Sequence, residues 1–286
     1  MKEKISFGDN LLDKKLATLT EPDTKTNDLT VVGASGVFGT REMGLPKWAD
    51  ALKANGIRSI MFDYSRFGES GGTPRQVLDY KSLIRDWNEA IDFAQKEYGD
   101  VGILGWSYAP ITKVMGQNPD VKKGSTNTPF ADALSYGSML EFNTLIANTF
   151  AGLRSYLKEV LLGMPDMVPV FSDKDEVAYF DTRTETGKKY AKMSKDDPNF
   201  INLGNASELF RCNFNKPLLT RLKKDQEMLI THGLDDEIVN RNFIKLLRWK
   251  TNAKLVEFEG GHCDVFDNKD VINANIEFFS NDKNVE

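Results

Sequence analysis

Three residue types that act together in nucleophilic catalysis occur at separate places in this sequence. Ser107 lies in the stretch GWSYA, Asp235 and Asp236 lie in HGLDDEIV, and His262 lies in GGHCDVF. A serine hydroxyl is a weak nucleophile until a histidine takes its proton, and a carboxylate orients that histidine. The chain has two histidines, so His232 is the other candidate base.

The residues around Ser107 fit a sharp turn from a strand into a helix. Such a turn demands small residues two positions before and two positions after the serine, because neighbouring backbones press on it. Gly105 and Ala109 meet that demand, although glycine is usual at the second position. A serine between apolar stretches is also common without any catalytic role, so the rest of the chain must decide.

Each of the three candidates follows a predicted strand. Ser107 follows VGILGW, the two aspartates follow QEMLITHG, and His262 follows AKLVEFEG. Reactive groups in parallel α/β sheets lie at the carboxyl ends of strands. We interpret His232, at the end of its strand, as structural. An aspartate after glycine is often only a turn residue, and His262 could instead pair with Asp264.

Strands and helices alternate along much of the chain, which predicts a mostly parallel sheet flanked by helices. Helical spacing of apolar residues predicts helices over 45–56 and 77–99, and a further helix begins near Pro110. The predicted strands cover residues 28–35, 57–65, 101–106, 131–138, 226–233 and 253–260.

The alternation stops between about residues 139 and 216. Apolar residues three and four apart predict one long amphipathic helix over 142–161. We therefore expect a core domain made of residues 1–138 and 216–286, with residues 139–215 inserted as a helical cap. Ordinary helices of the core joined by a long loop are the alternative.

Composition excludes several classes of function. The 286 residues carry a net charge of −5 and show no block of Lys and Arg, so we expect no nucleic-acid partner. No apolar run is long enough to span a bilayer and the N-terminus lacks a signal-peptide pattern, so we expect a cytoplasmic protein. Two cysteines are too few for a disulfide framework or a cysteine-based zinc site.

These motifs together resemble the α/β-hydrolase superfamily over residues 28–138 and 216–280. GWSYA is similar to its nucleophile elbow, HGLDDEIV to its acid loop and GGH to its histidine loop, while DYSRFGESGG is similar to a further conserved loop of the family. Aligning the acid loop puts the acid at Asp236, with Asp235 one position early. The family's oxyanion loop usually begins His-Gly, where this chain has Ser35-Gly36.

The resemblance implies an α/β-hydrolase fold and a catalytic triad of Ser107, Asp236 and His262. By the same analogy, the backbone N–H groups of Val37 and Tyr108 form the oxyanion hole. The chain is similar in this respect to short-chain esterases and to thioesterases.

The expected reaction is cleavage of a small-molecule carboxylic ester or thioester through an acyl-enzyme, with no metal or cofactor. Candidate pocket residues are Phe38, Trp106, Phe150 and Met164. The alternative for the cap residues is that they pack only on one another. An acyltransferase with the same triad and a non-catalytic binding protein remain alternatives. The sequence leaves the oligomeric state open.

Overall fold

The computed structural model describes residues 1–8, 10–130, 142–212 and 221–280. The strands of this part of the chain are, in order, β1 (Lys2–Phe7), β2 (Lys15–Thr20), β3 (Thr30–Ala34), β4 (Arg58–Phe62), β5 (Val101–Trp106), β6 (Lys123–Asn127), β7 (Met167–Val168), β8 (Phe171–Ser172), β9 (Phe180–Asp181), β10 (Gly204–Asn205), β11 (Glu227–Gly233) and β12 (Lys254–Phe258). Eight of them form one sheet in the order β1-β2-β4-β3-β5-β6-β11-β12. The pairings are parallel from β4 to β12, and β2 is antiparallel to both of its neighbours.

Helices cover both faces of this sheet, as the sequence predicts. The helices of the described residues are α1 (Leu45–Ala54), α2 (Tyr80–Tyr98), α3 (Ile111–Gln117), α4 (Phe142–Leu162), α5 (Glu185–Ser194), α6 (Glu208–Arg211), α7 (Arg241–Thr251) and α8 (Lys269–Ser280). Alternate residues of a strand face opposite sides of the sheet. Val32 and Ile103 accordingly pack in the core beneath α2, α3 and α7, whereas Val31 and Leu104 pack in the core beneath α1 and α8.

Local signals explain where the helices start and stop. The carboxylate of Asp79 accepts a hydrogen bond from the N–H of Ser82 and caps α2. Gly99, with φ of 90°, ends the same helix in a conformation that favours glycine. Pro46 lies in the first turn of α1, where its missing N–H costs nothing.

One central strand of the sheet is not predicted by the sequence pattern. Strand β6 reads KGSTN and is fully buried, yet it carries no apolar pattern. Its polar side chains are satisfied by distant partners: Ser125 Oγ donates to Asn275 Oδ1 at 2.5 Å, and Thr231 Oγ1 donates to Asn127 Oδ1 at 2.8 Å. The strand predicted over 131–138 lies outside the described residues. The antiparallel pair β1 and β2 was also not predicted.

Residues 142–212 lie along the chain between β6 and β11, which are direct neighbours in the sheet, and this described segment is called the insertion after the prediction for residues 139–215. Its first described element is α4, which agrees with the long helix predicted over 142–161. The insertion contacts the rest of the chain near the carboxyl ends of the strands. The ring of Tyr179 packs edge-on against Phe38 with a centroid distance of 4.5 Å. Among the described helices, none is long and apolar enough to cross a membrane.

Candidate active site

Ser107 lies directly after β5 in a strained turn. Its φ of 50° is uncommon for a residue other than glycine. A Cβ atom built on Gly105 would lie 2.7 Å from the Cβ of Ala109 and 2.5 Å from a side-chain carbon of Ile111. The turn therefore leaves no room for a side chain at position 105. The N–H of Ser107 donates to the carbonyl of Asn127 at 2.9 Å, which ties the turn to β6.

His262 reaches Ser107 from the loop after β12. Its Nε2 lies 2.9 Å from Oγ of Ser107. Gly260, with φ of 126°, shapes this loop in a conformation that other residues rarely adopt. Asp264 does not pair with the histidine ring. Its carboxylate instead accepts the N–H of Gly261 at 2.7 Å and a hydrogen bond from Lys189 at 2.6 Å.

Asp236 holds the other side of the His262 ring. Its Oδ2 and Oδ1 lie 2.9 Å and 3.1 Å from Nδ1 of His262, and Oδ1 also accepts the N–H groups of Ile238 and Val239. Burial acts to raise the pKa of Asp236, but the charge and hydrogen bond of His262, with those two N–H groups, bring it below its ordinary value. Asp235 is exposed. Of the two aspartates, the structure brings Asp236 to the histidine.

His232 lies behind Asp236 and does not take the place of His262. It is buried, and its Nδ1 lies 4.0 Å from Oδ2 of Asp236. Within the described residues this Nδ1 has no hydrogen-bond partner. Burial lowers the pKa of His232, and the charges of Asp236 and Glu257 offset only part of that effect. His232 is therefore a neutral, buried neighbour of the site at neutral pH.

The loop after β3 presses against the Ser107 turn at Gly36. A Cβ atom at Gly36 would lie 2.8 Å from the Cβ of Ser107 and 3.3 Å from the backbone nitrogen of Tyr108. The next residue, Val37, lines the same cavity as Ser107 and Tyr108. The hydroxyl of Tyr190, from the insertion, donates to the carbonyl of Val37 at 2.6 Å and holds this loop in place.

A buried ion pair connects the Gly36 loop to the loop that follows β4. The backbone N–H of Arg41 donates to Oδ1 of Asp63 at 2.7 Å. The guanidinium of Arg41 pairs with the carboxylates of Asp63 and Glu69. Gly68, with φ of 51°, lies against Asp63 where a Cβ would clash. The stretch DYSRFGESGG therefore acts on the site indirectly, by fixing the Gly36 loop.

A cavity of about 60 Å³ opens on Ser107. Part of its wall comes from the insertion, but from residues other than the Phe150 and Met164 that the sequence suggested. Ile238 could have been found from the sequence, because it belongs to the motif HGLDDEIV. The insertion residues belong to no such motif, since only the tertiary fold brings them to the cavity. The lining consists of Val37, Ser107, Tyr108, Phe130, Tyr179, Phe180, Glu208, Leu209, Cys212 and Ile238.

None of the four pocket residues expected from the sequence lines that cavity. Phe38 is buried one layer behind it, against Tyr179. Trp106 lies between Trp48 and Phe266 and borders a smaller void of about 20 Å³ beside Ser107 and His262. Phe150 and Met164 are 69% and 62% exposed and are not among the residues that line the cavity. The lining of this cavity therefore gives no support to these last two residues, and their place in a substrate pocket stays a prediction.

Sequence comparison gives partial matches to two named proteins, and no family model matches the chain. The quorum-quenching protein AidA of Acinetobacter baumannii is 30% identical over 168 residues, which cover 57% of this chain and 55% of that protein. The thiohydrolase aneE of Aspergillus aculeatus is 31% identical over 94 residues, which cover 32% of this chain and 30% of that protein. The chain therefore matches about half the length of the first relative and less than a third of the second.

Structure comparison identifies the fold over nearly the full length of the chain. The crystal structure of the α/β hydrolase GrgF from Penicillium sp. sh18 superimposes with a TM-score of 0.77, covering 97% of both chains at 13% identity. The resemblance expected from the sequence is thus confirmed at the level of the fold, which is that of the α/β hydrolases.

Proposed function

We propose that this chain, which has the α/β-hydrolase fold, is a serine hydrolase that cleaves a carboxylic ester or thioester through an acyl-enzyme on Ser107. One observation carries the proposal. Oγ of Ser107 lies 2.9 Å from Nε2 of His262, and Nδ1 of the same ring lies 2.9 Å from Oδ2 of Asp236. This is the hydrogen-bonded chain that a nucleophile, its base and the orienting acid require.

In the proposed mechanism, His262 takes the proton of Ser107 as Oγ attacks the substrate carbonyl carbon. Asp236 fixes the ring with Nδ1 protonated, so that Nε2 is free to accept that proton, and it stabilises the imidazolium that forms. His262 then returns the proton to the leaving alcohol or thiol. Water attacks the acyl-enzyme in the second half, with His262 again as the base.

The tetrahedral intermediate carries a negative oxygen, which we place beside the backbone N–H groups of Val37 and Tyr108. Support comes from the contact of the Gly36 loop with the Ser107 turn and from the shared cavity. The N–H of the residue after the nucleophile and an N–H of the loop after the third strand are the donors that this fold uses. One such donor is typically worth about 3–4 kcal/mol of transition-state stabilisation.

Residues 139–215 act, in this proposal, as a cap that closes the acyl site. Tyr179, Phe180 and Leu209 supply apolar cavity wall, and Tyr190 braces the Gly36 loop. Apolar walls exclude water from the reacting carbonyl and strengthen the electrostatic interactions within the site. The partial similarity to aneE, which is named a thiohydrolase, favours a thioester as one of the bonds cleaved.

Turnover of paired acyl substrates tests the proposal. The wild-type protein should hydrolyse p-nitrophenyl esters or the matching acyl thioesters, and Ser107→Ala should reduce kcat by more than about a thousandfold. Circular dichroism should show the same fold in both proteins. Near-wild-type turnover by the Ser107→Ala protein would exclude the mechanism.

A further inference from the structure

The loop that carries Val37 contains a β-turn over residues 36–39 in a conformation that its sequence does not favour. The N–H of Gly39 donates to the carbonyl of Gly36 at 3.3 Å, which closes the turn. Of the two central residues, Phe38 alone has a positive φ, of 55°. A positive φ at this third position defines a type II turn, which usually has glycine or asparagine there. A bulky side chain in this conformation is strained and persists only where its surroundings hold it.

The insertion supplies the surroundings that hold Phe38. The ring of Phe38 lies edge-on to that of Tyr179 with a centroid distance of 4.5 Å. A Cβ atom built on Gly204 would clash with the tip of the same ring, so the glycine leaves the space that the ring fills. Just after the turn, Oγ1 of Thr40 donates to the carboxylate of Asp197. The conformation of the turn therefore depends on contacts with residues that follow it by more than 130 positions.

Tyr190 of the insertion holds the peptide group in the middle of the turn. Its hydroxyl donates to the carbonyl of Val37 at 2.6 Å. This carbonyl belongs to the peptide group between Val37 and Phe38, which points in opposite directions in type I and type II turns. Relaxation of Phe38 to a negative φ would turn this carbonyl away from the hydroxyl. The hydrogen bond from Tyr190 therefore stabilises the strained conformation of the turn.

The hydroxyl of Tyr190 is itself fixed in position. Its ring is buried on α5 and lies edge-on to Phe171 and Phe180, with centroid distances of 5.2 Å and 5.1 Å. Burial raises the pKa of Tyr190 above its ordinary value, so the hydroxyl stays protonated and remains a donor at neutral pH. Packing on the ring thus fixes where the carbonyl of Val37 must lie.

The same turn orients the proposed oxyanion donor. The carbonyl of Gly36 and the N–H of Val37 belong to one planar peptide group, so the hydrogen bond that closes the turn also sets the direction of that N–H. We propose that Tyr190 is a positioning residue of the hydrolase reaction, which keeps the turn in its strained conformation with the N–H of Val37 directed at the oxyanion. The insertion thereby takes part in forming the oxyanion hole. This inference rests on the proposed function, since it takes the N–H of Val37 as a donor to the oxyanion.

Removal of the Tyr190 hydroxyl tests its effect on turnover. Tyr190→Phe keeps the ring and its aromatic contacts, but it leaves the carbonyl of Val37 without this donor. On an ester that the wild type hydrolyses, kcat should fall roughly ten- to a hundredfold with KM little changed, because a displaced donor stabilises the transition state less. An unchanged kcat, or a loss confined to KM, overturns the inference.

Tyr98→Phe is the matched control for the loss of a tyrosine hydroxyl. Tyr98 ends α2 just before β5, whereas Ser107 follows the other end of that strand. The ring of Tyr98 lies under the guanidinium of Arg58, and a phenylalanine ring keeps that contact. Both kcat and KM of this variant should equal those of the wild type.

A second substitution in the turn separates positioning from a general loss of structure. Gly36→Ala displaces the same loop, because the added methyl group would lie 2.8 Å from the Cβ of Ser107. If Tyr190 acts through the turn, the double variant Gly36→Ala/Tyr190→Phe should lose much less kcat than the product of the two single losses. Losses that multiply would place the effect of Tyr190 outside the turn and overturn the inference.

Amide hydrogen exchange follows the turn without any substrate. The buried N–H of Gly39, which closes the turn, should exchange roughly two- to tenfold faster in Tyr190→Phe, as expected from the loss of one hydrogen bond. The N–H of Leu83, bonded to the carbonyl of Asp79 in α2, is the internal control and should not change. An unchanged rate at Gly39 overturns the inference even if esters are hydrolysed. Faster exchange at Gly39 in a protein that hydrolyses no ester overturns the hydrolase reaction and leaves the role of Tyr190 in holding the turn supported.

Discussion

Asp235 and Asp236 are adjacent in the chain but lie in different surroundings. The carboxylate of Asp236 is buried and bonded to His262, whereas Asp235 is exposed. Asp236→Asn should lower kcat by roughly ten-thousandfold, because the amide favours the wrong tautomer of the histidine. Asp235→Asn, the matched control with the same chemical change, should alter kcat little. Steady-state kinetics on one ester checks both variants, and a larger loss in Asp235→Asn would contradict the assignment.

At the scale of single residues, the sequence was informative where one residue type is rare or the local pattern is strict. The chain has only two histidines, and the spacing of GWSYA reflects a turn that leaves no room for larger side chains. Tyr179 and Glu208 could not be found in this way. They reach the cavity only because the insertion folds back over the strand ends, and no local pattern encodes that contact.

At the scale of secondary-structure elements, the contact of the Gly36 loop with the Ser107 turn matters most. A methyl group at Gly36 would lie 2.8 Å from the Cβ of Ser107 and 3.0 Å from the carbonyl oxygen of Trp106, so the loop would have to move. Gly36→Ala should therefore lower kcat by roughly a hundredfold, since a shift of about 1 Å in a donor has that effect. KM should change little.

The comparison variant for Gly36→Ala is Ala109→Gly, which removes a methyl group from the same turn and creates no clash. It should retain most of the wild-type kcat. Thermal unfolding of both variants shows whether any loss of activity comes from loss of folded protein. Full activity of Gly36→Ala would contradict the proposed position of the oxyanion hole.

Elements with a clear apolar period were predicted, and those held by long-range polar contacts were not. The helices at 45–56 and 77–99 and the strands before Ser107, Asp236 and His262 correspond to α1, α2, β5, β11 and β12. Strand β6 is buried through hydrogen bonds to residues more than 100 positions away, so its KGSTN sequence gives no local signal. The exposed side chains of α4 also show that an amphipathic pattern does not reveal which surface its apolar face covers.

At the scale of the whole molecule, buried His232 makes stability depend on pH. Its pKa is lowered in the folded state by burial, so the unfolded chain takes up the proton first as the pH falls. Stability from this group is fully present above the unfolded pKa of about 6.5 and is lost as the pH falls through the lower folded value. His232→Gln should therefore reduce the fall in the free energy of unfolding between pH 7 and pH 5.

Urea unfolding of the wild type and of His232→Gln at pH 7 and pH 5 measures this effect. The quantity compared is the change in the free energy of unfolding between the two pH values, so a difference in stability at one pH does not affect the result. Asp236 contributes in a different window. Its folded pKa is lowered, so its stabilisation is present above about pH 4 and is lost only in stronger acid. An identical fall in stability between pH 7 and pH 5 for wild type and His232→Gln would contradict the account of His232.

Covalent labelling of the nucleophile tests the central claim most directly. A fluorophosphonate reacts with a serine hydroxyl only when a base and an oxyanion site activate it, and it requires no knowledge of the natural substrate. We predict stoichiometric labelling of the wild-type protein, with the adduct mapped by mass spectrometry to the peptide containing Ser107. Labelling should be abolished in Ser107→Ala and strongly slowed in a His262→Ala variant. A folded wild-type protein that is not labelled, or is labelled at another serine, would contradict the account.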